Sequence, residues 1–212
     1  MRFGRLAPVV LVLALAPCRA SFAQSEGRFA IGGQFISRVP NDGTTVHGSR
    51  GPGLLWRFGH ADTGWGWHWG LNWFSTDIDR PVGGRDAELG ELRIRPLMGG
   101  YGYTRVIGRT TLTADVLGGY ALTNITMAPS TSDVYRDRLG ARAVSVDAGN
   151  SLVAKPELGI WFDVNKKVGI NVNAGYVVTR PNVTVRSTLG EDTRRVRADM
   201  FVIQVGAVYS IF

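Results

Sequence analysis

The chain has 212 residues, a formal net charge of +7 and one cysteine, Cys18. Its first 23 residues hold Arg2, Arg5 and Arg19 and no acid, so residues 24–212 carry only +4. This is too modest a charge, without a compact basic helix, for a nucleic-acid partner. If Cys18 leaves with the leading segment, the remainder has no thiol, which excludes disulfides, thiolate metal sites and cysteine nucleophiles.

That leading segment reads as an export signal: a basic start, then an apolar run from Leu6 to Ala16, shorter than the ~20 residues a membrane helix needs. Small residues place cleavage after Ala23, or alternatively after Ala20, and Cys18 leaves lipidation open as a third outcome. Two units follow, a signal peptide at 1–23 and one folded domain at 24–212.

The domain is expected to be all-β, because 28 glycines and recurrent period-two alternation leave no long stretch of helical apolar spacing. A first strand at 28–38 puts Phe29, Ile31, Gly33 and Phe35 on one face, and a Pro/Asn/Asp/Gly loop covers 39–50. The second, at 53–60, aligns Leu54, Trp56 and Phe58. A tight turn at 61–64 leads to the third, 65–73, where Trp and Gly alternate most cleanly.

Residues 76–90 are predicted as a polar loop and 91–103 as the fourth strand, with Leu92, Ile94 and Met98 opposed to Arg93 and Arg95. The alternation then favours Tyr101 and Tyr103, so a bulge is expected at Gly99–Gly100, with Pro96 at the irregularity because it has no amide to donate. A short turn at 106–109 opens a fifth strand, 110–123, with Asp115 on the face away from Leu112, Val116 and Tyr120. The longest break is 124–150.

A sixth strand, 151–162, sets Leu152, Leu158 and Ile160 against Lys155 and Glu157. After a turn at 165–167 comes a seventh, 168–180, which 182–186 extends. The last stretch, 197–212, is an apolar strand that would be an aggregation template if left as an edge. It is therefore expected to close the sheet against the first strand, giving an eight-stranded antiparallel up-and-down barrel.

Short connections at 61–64, 106–109 and 164–167 alternate with long ones, which puts every tight turn at one end of the barrel. Trp56, Trp65, Trp67, Tyr101, Tyr103, Tyr209 and Phe212, with Phe29, Phe58 and Phe162, fall at that end and read as a belt at a membrane interface. The other face of the strands is mostly Gly, Asn, Thr and a few Arg. A lipocalin-like soluble barrel, the alternative architecture, would need Lys and Glu there.

In this pattern of export signal, eight alternating strands and terminal Phe212, the chain resembles the small bacterial outer-membrane barrels: the OmpA transmembrane domain and the OmpX and OmpW types. Its terminus departs from their aromatic spacing, since Tyr209 and Ile211 share a face that Phe212 does not. The resemblance implies a transmembrane β-barrel in the bacterial outer membrane, with lipopolysaccharide and the barrel-assembly machinery as partners. A monomer is expected.

Arg57, Arg93, Arg95, Asp115, Lys155 and Glu157 are predicted to point into the barrel, where charges must pair and would plug an eight-stranded interior. Arg186, Arg194 and Arg195, near Arg180 and Arg197 around the final loop, are candidates to contact lipid phosphates. Their other partners would be Glu191, Asp192 and Asp199. His47, Ser49 and Glu88 suggest a lipid A deacylase-like hydrolase, but His47 lies in the first loop with no fixed acid. His60 and His68 lack metal-ligand spacing.

No catalytic, metal or cofactor site is therefore expected. The leading expectation is a non-enzymatic barrel of structural or surface-interaction type, acting through long extracellular loops. A narrow porin-like channel, a lipid hydrolase and a secreted lipocalin-like binding barrel are the alternatives.

Overall fold

The computed structural model describes residues 29–41, 46–58, 62–71 and 73–211. The segment expected to be an export signal, His60, Phe212 and the side chain of Phe58 lie outside them. Among the described residues, twelve strands and one helix follow in order: β1 (Phe29–Pro40), β2 (Ser49–Phe58), β3 (Gly64–Leu71), β4 (Phe74–Val82), β5 (Arg85–Ile107), β6 (Thr110–Met127), α1 (Thr131–Leu139), β7 (Ser145–Ala148), β8 (Ser151–Asp163), β9 (Val168–Thr179), β10 (Asn182–Ser187), β11 (Gly190–Arg195) and β12 (Met200–Ser210).

Nine of the strands form one antiparallel sheet in the order β2-β1-β12-β9-β8-β6-β5-β3, with β4 also paired to β5. Because β3 and β4 lie end to end along β5, facing Leu97–Thr104 and Arg85–Ile94 respectively, they count as one interrupted stave and the barrel has eight. The last strand pairs with the first from Ala30↔Ser210 to Pro40↔Met200, so the apolar closing strand has a partner on each side. At the loop end the β2 and β4 sides meet through the Val46↔Ile78 bridge, where the His47 amide donates to Asp77 O at 3.0 Å.

Each stave alternates, and its apolar set faces outward. Phe35, Leu54, Trp67, Tyr101, Val116, Leu158, Val172 and Phe201 are all exposed on the outer surface. Outward Trp65 and Trp73 stand eight residues apart along one stave, about 27 Å at strand rise, close to the ~25 Å apolar band of a membrane barrel.

Three expectations are corrected. Residues 76–90 are not a polar loop: β4 and β5 run through them, joined by the two-residue turn Gly83–Gly84 with φ +60° and +79°. A primed hairpin turn needs positive φ at both central residues, which Gly-Gly supplies. The period-two pattern was concealed because Thr76 and Arg80 occupy buried positions alongside Ile78 and Val82.

No bulge occurs at Gly99–Gly100 either; β5 pairs with β6 in unbroken register from Gly90 to Ile107. Tyr101 and Tyr103 simply continue the outward set begun by Arg93, Arg95 and Leu97. The register irregularity along β5 lies instead against β4, between Ile78 and Asp79, while Pro96 stays in register opposite Ala121 of β6.

Hence Arg93 and Arg95 do not enter the barrel. Leu92, Ile94, Pro96 and Met98 take the inner face, while Arg93 pairs outside with Glu91 at 2.9 Å and Arg95 lies over the Trp73 ring at 6.0 Å. Burying four apolar side chains outweighs leaving two guanidiniums in contact with water, which they can reach by extending past an aromatic rim.

Candidate functional site

The interior is layered. In its middle, β6 and β8 bring Asp115 and Glu157 opposite each other in register, and Lys155, two residues from Glu157, forms an ion pair with it. Asp115 also lies 3.3 Å from Nδ1 of His68 on β3. Asn171, Asn173, Gln204 and Gln34 continue this polar layer around the wall, with Asn171 donating to Asn173 Oδ1 at 3.0 Å.

Glycines make the layer possible. Gly102 faces Asp115 in the β5–β6 register, and a Cβ there would collide with the Asp115 side chain; at Gly175 it would come within 2.9 Å of Lys155 Cε.

Toward the loop end the interior turns apolar. Ile36, Phe74, Leu92, Ile94, Met98, Leu117, Val177 and Met200 form one buried cluster that continues upward into Tyr135, Ala148, Val183 and Val185. The second group belongs to α1 and to a separate sheet, β11-β10-β7, that lies across this end. Thr131 anchors α1 by donating to Leu89 O at 3.1 Å, and Arg80, nearly buried on β4, pairs with Asp192 of β11. Among the described residues, the long connections are therefore a folded lid packed on the barrel's own core.

The arginines of this lid are distributed around acids. Arg186 pairs with Glu191 at 3.0 Å and Arg194 with Asp192 at 3.3 Å, all four exposed. Arg180 and Arg197 flank the buried Asp199 at 3.5 and 2.8 Å, and that pairing holds the Arg197 pKa above its ordinary value. Arg195 is exposed on β11 opposite Asn182.

At the turn end, Arg57 of β2 reaches Asp163 of β8 at 2.7 Å and lies over the Trp161 ring at 5.0 Å. The sequence pointed to Arg57 but not to these partners. Arg38 escaped notice as well: it is buried below the lid, over the Phe74 ring at 5.1 Å and donating to Trp73 O at 3.3 Å. Its alternation with Ile36 on the inner face of β1 was the available signal.

His47 is placed by Val46, bridged to Ile78, and its Nε2 lies 2.7 Å from Asp79 Oδ2, with both side chains exposed. Ser49 pairs in the ladder opposite Arg38. The structure thus gives His47 an acid, Asp79, but does not join it to Ser49 or Glu88 in any hydrogen bond among the described residues.

Outside, Trp65 stacks on Tyr101 at 5.8 Å and meets Tyr103 edge-on at 5.4 Å, and Trp56, Phe162 and Tyr209 are exposed at the same end. A second set was missed by the sequence reading: Trp73, Tyr120 and Phe201 lie toward the loop end, with Phe201 against Tyr176 at 4.7 Å. Two aromatic levels bounding an apolar band are the outer surface of a membrane barrel.

No family model matches the chain, and no curated protein sequence does. Among solved structures, the outer membrane protein OprG from Pseudomonas aeruginosa superposes with a TM-score of 0.68 at 18% identity, over 88% of this chain and 97% of that one. The chain has the fold of a small outer-membrane β-barrel. The outer membrane protease OmpT from Escherichia coli gives 0.49 at 8% identity, over 88% and 97% of the two chains. Ail, the attachment invasion locus protein of Yersinia pestis, gives 0.40 at 14%, over 88% and 99%.

Proposed function

We propose that this chain is an integral outer-membrane protein whose barrel is an anchor and whose lidded loop end is its working surface. The observation that carries this reading is the lid: α1 and the β7-β10-β11 sheet are packed onto the interior core, so chain that could have been open loop is spent on an ordered surface. The apolar outer face bounded by two aromatic levels supports the location.

In this reading Arg186, Arg194 and Arg195 meet lipopolysaccharide phosphates. Exposed ion pairs contribute little and leave guanidinium N–H groups available, and Arg binds phosphate bidentately. Replacing the three together by Gln should lower the thermal midpoint by roughly 5 °C in lipopolysaccharide-containing membranes and leave it unchanged in neutral detergent. Equal losses in both media would assign the arginines to the fold alone.

A second reading, a narrow passive path, is favoured by the apolar lining of the loop half from Ile36 to Val185. It would suit an apolar solute and would require the lid and the polar layer to part. Planar-bilayer recordings separate the two: the anchor reading expects no conductance steps. Neither reading gives the chain a catalytic step.

A further inference from the structure

The turn end of the barrel holds a cavity of about 340 Å³, at the opposite end from the lid. By the ~30 Å³ each molecule occupies in the liquid, this is room for about ten waters. This vestibule's lining includes Ala30 and Val208, which pack with Leu55 and Trp161 in a small apolar group. Four cations line it, Arg57, Arg109, Lys166 and Lys167, against one carboxylate, Asp163, which is already committed to Arg57.

These cations are positioned by the backbone. Asn165 Oδ1 accepts the amides of Lys167 and Val168 at 2.8 and 2.9 Å, fixing the β8–β9 turn, and the Ser210 amide donates to Lys167 O at 2.7 Å. The β5–β6 turn is tied to the same rim, since the Asp163 amide donates to Arg109 O at 2.8 Å. Among the described residues, Arg109, Lys166 and Lys167 have no carboxylate partner, and Arg109 donates only a long hydrogen bond, 3.5 Å, to Val164 O.

Like charges held around a concavity with low-dielectric walls repel one another and concentrate a counter-anion. We propose that this vestibule is a binding site for a phosphate-bearing anion. A phosphate monoester carries the close to two negative charges that a lining with three cations free of a carboxylate favours, and its oxygens suit both the fork of Arg109 and the point charges of the two lysines. Gly169 leaves the space open, for a Cβ there would stand 3.3 Å from Asp163 Oδ1 and 3.4 Å from Val208 Cγ2. The group can come from a soluble phosphate monoester or, with a single negative charge, from the phosphodiester of an anionic phospholipid headgroup folded over the rim.

The test uses the full folded protein in neutral detergent, titrated with glycerol phosphate and, as control, glycerol. Glycerol phosphate should shift the amide resonances of residues 108–109 and 164–169 saturably, and glycerol should not. The combined Arg109→Gln, Lys166→Gln and Lys167→Gln variant should bind about tenfold more weakly or worse. Gly169→Leu, which fills the vestibule and keeps every charge, should lose affinity too, with unboiled gel mobility confirming that both variants fold.

In bilayer discs, resonance shifts at the same residues with phosphatidylglycerol but not phosphatidylcholine, without a response to glycerol phosphate, would assign the headgroup as the source. Loss in the charge variant without loss in Gly169→Leu would reduce the site to a diffuse counter-ion cloud and overturn the proposal. So would no response to either probe.

Discussion

Lys155→Ala should lower the unfolding free energy by about 3–5 kcal/mol, because it leaves two neighbouring carboxylates in the barrel with no full cation between them. Lys155 is 3% exposed, is paired with Glu157, and lies within electrostatic reach of Asp115, whose other close neighbour is the His68 ring at 3.3 Å. Glu157→Ala should cost less, since Lys155 would keep Asp115. The measurement is the urea midpoint of the protein in lipid vesicles. Adding Glu157→Gln and Asp115→Asn to a Lys155→Met chain should recover most of the loss, as replacing a whole buried ionic set is far milder than breaking one. A change under about 1 kcal/mol for Lys155→Ala would mean that water reaches the layer freely.

Gly102→Val should be comparably severe, at about 3 kcal/mol or more, for a steric reason. A Cβ on Gly102 meets the Cβ of Asp115 and the main chain of Ala114 and Asp115 across the β5–β6 pair, and backbone cannot move aside without breaking the ladder. The expected readout is loss of the fast-migrating unboiled form on a gel. Gly66→Ala, at a glycine with no atom within 4 Å of the added Cβ, is the matched control and should retain it.

The outer surface was legible in the sequence because a lipid-facing position must be apolar and the pleat repeats every two residues, so Leu54, Trp56 and Tyr209 could be placed without coordinates. The closing pair β1–β12 was legible for the related reason that a long apolar edge cannot stay unpaired. The inner face was harder to read. A uniformly polar interior would take Arg93 and Arg95, whereas Leu92, Ile94 and Met98 fill its loop half. Arg80 and Thr76 concealed β4 because their polar ends are satisfied by Asp192 and by His47 O, partners distant in sequence.

The lid was the least legible part. Residues 124–150 look like a loop and 182–186 like a bare extension of the seventh strand, and only their assembly buries Tyr135, Val183 and Val185 together. The same holds for Arg57, whose partner Asp163 lies more than a hundred residues away on the far side of the vestibule.

If the apolar outer face of this barrel spans the outer membrane, the protein must be found there as a closed, folded barrel. The direct measurement is to fractionate cells expressing the full chain and to run the membrane fraction on a gel with and without boiling. The protein should be recovered in the outer membrane, and its unboiled and boiled forms should migrate differently, because a closed hydrogen-bonded barrel resists detergent. Recovery in the soluble periplasm, with one mobility in both lanes, would contradict it.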